Sequence, residues 1–189
     1  AGVLFFDWDV AAIVVLYWSE NLIIGAYNLC KMATVACVMA TFPGIFLIIH
    51  YGGFCAVHGL FILMLLLEGA EMGIQRWPFF LVFVELLLDV IEQVMAQAPR
   101  EWIIAFFGLV ISHGYSFVTN FILGGERYRT TIGELMAAPY KRIVALNVAI
   151  IAGGFAVMSL GQPLPLLFVL IALKIVIDLQ LHRRAHATA

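Results

Sequence analysis

Five stretches of this chain, roughly 10–30, 43–67, 102–123, 143–160 and 163–182, are long and apolar enough to cross a bilayer as helices, which takes about 20 residues each. Little of the chain is left for anything else. Of 189 residues, 64% are hydrophobic and 12% charged, and the mean hydropathy is +1.05. A soluble domain is about half apolar and about a quarter charged, because its surface must face water. The sequence therefore predicts an all-α, polytopic transmembrane helix bundle, a single integral membrane domain over residues 1–189.

A sixth stretch, 78–97, is ambiguous. Its first half is apolar, but Glu85, Asp89 and Glu92 follow at i, i+4 and i+7 and share one helical face. A carboxylate buried in lipid costs about 3 kcal/mol on insertion scales. Three of them favour an amphipathic helix lying in the interface with its acids in water. The expectation is five spans plus that interfacial helix, with six spans as the alternative. Pro43 and Pro78 mark helix starts, and Trp8, Trp77 and Trp102 stand at segment ends, as interface anchors do.

Lys and Arg outside the spans set the orientation. The loop 124–142 holds Arg127, Arg129, Lys141 and Arg142, and the last residues hold Arg183 and Arg184, so both regions are expected in the cytoplasm. With five spans Lys31 joins them and Arg76 and Arg100 lie outside; with six, Arg76 joins them and Lys31 and Arg100 lie outside. The charges do not choose between the two. A net charge of −2 with no basic cluster excludes a nucleic-acid binder. Cys30, Cys37 and Cys55 form no C-x-x-C pair and read as buried thiols. Asp7 and Asp9 stand where a cleavable signal would carry positive charge, so the first stretch is expected to span. The location implied is a bacterial inner membrane, with lipids as partners and self-association left open.

Polar side chains at membrane depth carry the functional reading, since each needs a partner there. The first span has Tyr17, Glu20, Asn21 and Asn28; the second has His50 and His58; the span 102–123 has Ser112 and His113, with Ser116 and Asn120 continuing the His113 face. Asn147 lies in the span 143–160, and Lys174, Asp178 and His182 lie along one stripe of 163–182. At 1.5 Å per residue, Glu20 and His113 both sit about 15 Å from the cytoplasmic ends of their spans. His50 and His58 are about 12 Å apart along their helix and cannot both bind one ion. With five spans His50 is level with Glu20 and His113; with six, His58 is.

Imidazoles and a carboxylate at one level suit a transition metal, Zn²⁺ or Fe²⁺, with Glu20, His113 and either His50 or His58 as ligands. Asn21, Ser112, Ser116, Asn120 and Asn147 would then orient the imidazoles by hydrogen bonds, and Lys174, Asp178 and His182 would form a pathway or an intrahelical ion pair. There is no H-E-x-x-H, so this is a constellation and not a motif. The leading expectation is a metal-dependent membrane enzyme, hydrolytic or oxidative, acting on a lipid-soluble small molecule. The first alternative is a haem b protein of electron transfer, its macrocycle seated where His58-Gly59, His113-Gly114 and Gly52-Gly53 leave room between helices. The second is a non-catalytic membrane subunit or small transporter.

The runs His50-Tyr51-Gly52-Gly53-Phe54 with His58-Gly59, Ser112-His113-Gly114 with Ser116-Phe117 and Asn120-Phe121, and Pro139-Tyr140 with Arg142-Ile143-Val144 resemble an uncharacterised family of small bacterial polytopic integral membrane proteins. The resemblance covers the chain from Trp18 onward and implies a membrane fold with no established activity. It also implies histidine where this chain has Asn147, a departure that argues against a ligand role for that span here.

Overall fold

The computed structural model describes residues 10–36, 41–66, 77–78, 81–97 and 101–140, with 143, 144, 148 and 172 as isolated positions. The chain divides into two compact units, Ala1–Lys141 and Arg142–Ala189, and every helix described here belongs to the first. These are α1 (Val10–Val35), α2 (Thr41–Phe46), α3 (Gly52–Leu66), α4 (Val82–Gln97), α5 (Glu101–Ser116) and α6 (132–140). A π-helical turn, Leu47–Tyr51, joins α2 to α3, and another, Phe117–Leu123, extends α5. There is no strand among the described residues.

Three of the predicted spans correspond to continuous helix long and apolar enough to cross a membrane: Ala12–Val35, Thr41–Met64 and Trp102–Leu123. The stretches 143–160 and 163–182 fall outside the described helices. The side chains confirm the apolar setting. On α5 and its π-helical extension, Ile104, Phe107, Ile111, Tyr115 and Val118 are all exposed and repeat at the spacing of one helical face. An apolar stripe of that size is unfavourable against water and neutral against lipid.

Helix directions follow from side-chain contacts. Trp102 bonds to Ser19, Tyr27 reaches Val110 and packs against Phe117, and Lys31 lies over the Phe121 ring, so residue numbers on α1 and α5 rise together. The two helices are parallel. Trp18 instead bonds to Cys55 and Tyr51 to Asn21, so α1 and the second rod are antiparallel. The chain thus leaves α3 and enters α5 at the same end of the bundle. Six spans would need α1 and α5 antiparallel; the observed pairing is parallel, so among the described residues α4 adds no crossing between α3 and α5.

Its acids part company. α4 runs alongside α3 in the same direction, Gly53 against Phe83 and Gly59 against Val90 and Trp18. A Cβ on Gly59 would meet the Trp18 ring at 2.8 Å, so the close approach of three helices requires a glycine here. Leu86, Val90 and Val94 are buried, and so is Glu85, only 3% exposed, whereas Asp89 is half-buried and Glu92 exposed. The expected wet acidic face is therefore split. The three carboxylates share an angle about the helix axis but not the neighbours along it. Glu85, near the helix N-terminus where negative charge is favoured, accepts a hydrogen bond from the Trp77 backbone N–H at 3.2 Å.

The stretch 124–142, read from sequence as a loop, carries α6. Gly125 takes the left-handed φ of 76° that lets the chain turn out of the π segment. Thr131 and Glu134 then form a reciprocal cap. The Thr131 N–H and hydroxyl both donate to the Glu134 carboxylate, at 2.8 and 2.9 Å, and the Glu134 N–H donates back to the Thr131 hydroxyl at 3.3 Å. The Thr131 N–H and then its hydroxyl hold the carboxyl below its ordinary value.

Two outcomes are expected. Single cysteines replacing Ala70 and Ala98, in a background lacking Cys30, Cys37 and Cys55, should label from the same side of the membrane; labelling from opposite sides would restore six spans. The Glu134 carboxyl should titrate below the ordinary glutamate range by carbon NMR. Because the folded value is the lower one, the cap contributes fully above the unfolded value and is lost as pH falls through the folded one. Faster amide exchange in 132–140 should accompany that loss.

Candidate functional site

The parallel packing of α1 on α5 brings two of the four predicted ligands together. His113 Nε2 lies 3.7 Å from Glu20 Oε1, with 28% and 13% of their side chains exposed. Tyr27, two turns along from Glu20, stacks on the His113 ring with centroids 6.3 Å apart and planes 26° apart. Its hydroxyl donates to the Val110 carbonyl at 3.0 Å. Gly114 makes room for it, since a Cβ there would meet the Tyr27 oxygen at 2.6 Å. Glu20, His113 and Tyr27 thus form one polar-aromatic cluster near the middle of two spanning helices.

Beside it a cleft of about 510 Å³ opens between α1, α4 and α5. Ligand sites for small molecules fall in the range of about 300–1,000 Å³. Trp18, Tyr27, Trp102 and Phe106 supply its aromatic walls, and Ile23 and Ala26 belong to its α1 face. Each polar aromatic end is tied elsewhere. The Trp18 indole N–H donates to the Cys55 carbonyl at 2.7 Å, and the Trp102 indole N–H donates to the Ser19 hydroxyl at 3.1 Å. Ser19 in turn donates to the Val15 carbonyl at 2.7 Å. Trp102, expected as an interface anchor, is instead buried by this bond, while Trp77 is exposed.

The remaining predicted residues lie apart. His50 Nδ1 is 2.9 Å from the Tyr140 hydroxyl, and its ring stacks on Phe46. Burial and then the nearby Cys55 hold the Tyr140 phenol above its ordinary value. His58 is buried, with Nδ1 against the Phe54 carbonyl of its own helix. Asn21 donates to the Tyr17 carbonyl and Asn120 to the Ser116 hydroxyl, and Ser112 is exposed. Asn147, Lys174, Asp178 and His182 lie outside the described residues. No three His, Cys, Asp or Glu side chains are placed to hold a metal ion among the described residues. The glycine spaces expected for a macrocycle hold protein side chains: Leu87 at Gly52, Phe83 at Gly53, Trp18 and Val90 at Gly59, and Tyr27 at Gly114.

Sequence reading missed Tyr27, Tyr140 and Ser19 as participants. Tyr27 had one signal, its position seven residues after Glu20 on the same helical face. Ser19 had none, because its role depends on which helix delivers Trp102.

Fold and site together define a helical protein with membrane-length apolar helices and a polar pair beside an apolar cleft. Residues 1–189 match a family of unknown function, DUF6498, and the chain belongs to that family. Neither a curated protein nor a solved structure matches it.

The Glu20–His113 contact should be energetically coupled. A double-mutant cycle with Glu20→Gln and His113→Gln, read by unfolding in detergent, is expected to give about 0.5–1.5 kcal/mol, the scale of polar contacts between membrane helices. Additive effects would mean that the two groups are neighbours without an interaction.

Proposed function

We propose that this chain is a multi-pass membrane protein that binds a lipid-soluble small molecule in the cleft between α1, α4 and α5, with Glu20 and His113 as the polar groups at its edge. The observation that carries this reading is the cleft itself, about 510 Å³ and walled by Trp18, Trp102, Tyr27 and Phe106, whose polar atoms are bonded away from it. A pocket of apolar walls with few polar groups at one edge is the usual form of a small-molecule site. In this reading residues 124–142 face the cytoplasm, in keeping with their four basic residues.

A metal-dependent enzyme would use the same pair. Glu20 and His113 supply two ligands, and a catalytic zinc takes three from the protein, so the remainder would come from beyond the described helices. The site in its described form supports binding more directly than metal chemistry.

Decylbenzene, an apolar molecule with no hydrogen-bonding group, tests the cleft. Saturating decylbenzene should raise the unfolding midpoint of detergent-purified protein, because a ligand at 100 times its Kd stabilises by about 2.7 kcal/mol. Ala26→Phe, which fills the cleft from α1, should abolish the shift. An equal shift in both proteins, or none in either, would defeat the reading. Zinc or iron at one per chain, lost in His113→Ala, would establish the metal centre in its place.

A further inference from the structure

The walls and edge of the cleft together narrow the class of ligand. An alkyl chain needs only aliphatic contact, but this cleft presents four aromatic side chains, three of which are held by hydrogen bonds at their polar ends. Fixed indole and phenol rings offer faces and edges for another ring at little cost in side-chain entropy. Trp102 and Phe106 already lie as a tilted pair with centroids 4.9 Å apart, one turn apart on α5. His113 adjoins these walls without being part of the lining. His113 continues the α5 stripe of Trp102, Phe106 and Val110, and its ring stacks on Tyr27, itself a wall of the cleft. At 3.7 Å from Glu20 Oε1, His113 Nε2 is beyond the ordinary hydrogen-bond range of about 2.7–3.2 Å, and 28% of its side chain is exposed.

We infer that the ligand is a lipid-soluble aromatic molecule carrying a hydroxyl or carbonyl oxygen, its ring between Trp102, Phe106 and Tyr27 and its oxygen hydrogen-bonded to His113. This rests on the binding function proposed above and goes beyond it in naming the ligand's chemistry. His113 acts as the group that distinguishes an oxygen-bearing ring from a plain one. A ring N–H of His113 can donate to a hydroxyl or carbonyl oxygen, and its unprotonated ring nitrogen can accept from a hydroxyl. The step is binding alone, with no electron transferred.

Three probes of similar size separate the contributions in detergent-purified wild-type protein: 4-decylphenol has ring and oxygen, decylbenzene the ring only, and 1-hexadecanol the oxygen only. Binding is read by quenching or enhancement of Trp18 and Trp102 fluorescence and by the unfolding midpoint. 4-Decylphenol is expected to bind about tenfold more tightly than either of the others, the effect of one net hydrogen bond or of ring packing. His113→Leu should reduce the advantage over decylbenzene to near unity. Equal affinity of 1-hexadecanol and 4-decylphenol would overturn the aromatic assignment, and equal affinity of decylbenzene and 4-decylphenol would overturn the His113 anchor; either result leaves the cleft as a binding site. Failure of all three probes to respond to Ala26→Phe would remove the cleft reading as well. The wild-type comparison stands even where a variant does not fold.

Discussion

Among apolar helices an indole N–H or phenol O–H has no water to turn to, and the rest of this structure depends on how α1 and its neighbours meet that constraint. Trp18 donates across to the Cys55 carbonyl, Trp102 to the Ser19 hydroxyl, Tyr27 to the Val110 carbonyl and Tyr51 to the Asn21 carbonyl. Leaving one such donor buried and unsatisfied costs about 1–3 kcal/mol, so each bond specifies a level at which two helices must meet. Together they set α1 parallel to α5 and antiparallel to the second rod. Dispersion between apolar faces would tolerate many registers; these bonds tolerate one.

The same bonds make the cleft. With their polar atoms committed to neighbouring backbone or hydroxyl, Trp18, Trp102 and Tyr27 turn only ring surface toward the space between α1, α4 and α5. The tightest packing lies nearby, where Gly59 admits Trp18 and Val90, and where Gly114 admits Tyr27. Small residues close some parts of the bundle so tightly that large ones, meeting elsewhere, leave a gap. Closeness and cavity are two consequences of one distribution of side-chain volume. The α1–α5 register also brings Glu20 to His113, whose ring stacks on Tyr27, one of the cleft walls.

The polar residues that sequence reading gathered into one centre divide into separate partnerships. His50 and Tyr140 tie α6 to the π turn after α2, and His58 turns back on the Phe54 carbonyl. The spacing of these residues along each helix was legible, since it is set by rise per residue. The angle about each helix axis relative to its neighbours was not, because an all-apolar helix has no moment to say which side faces the protein. α4 shows the complement: its acids are on one face, as the spacing implied, yet Glu85 is buried and Glu92 is not.

What the residues determined unaided is the helical class and the three membrane-length helices among those described, because bilayer thickness and helical rise convert counting into length. They also contained the Thr131–Glu134 cap, which is local and needs no partner helix. The tertiary structure alone decided helix direction, the separation of His50 and His58 from the Glu20–His113 pair, and the existence of a cleft. These are relations between segments distant in sequence, and they are set by which hydrogen-bond donors must be satisfied and which glycines allow contact, neither of which can be counted along one helix.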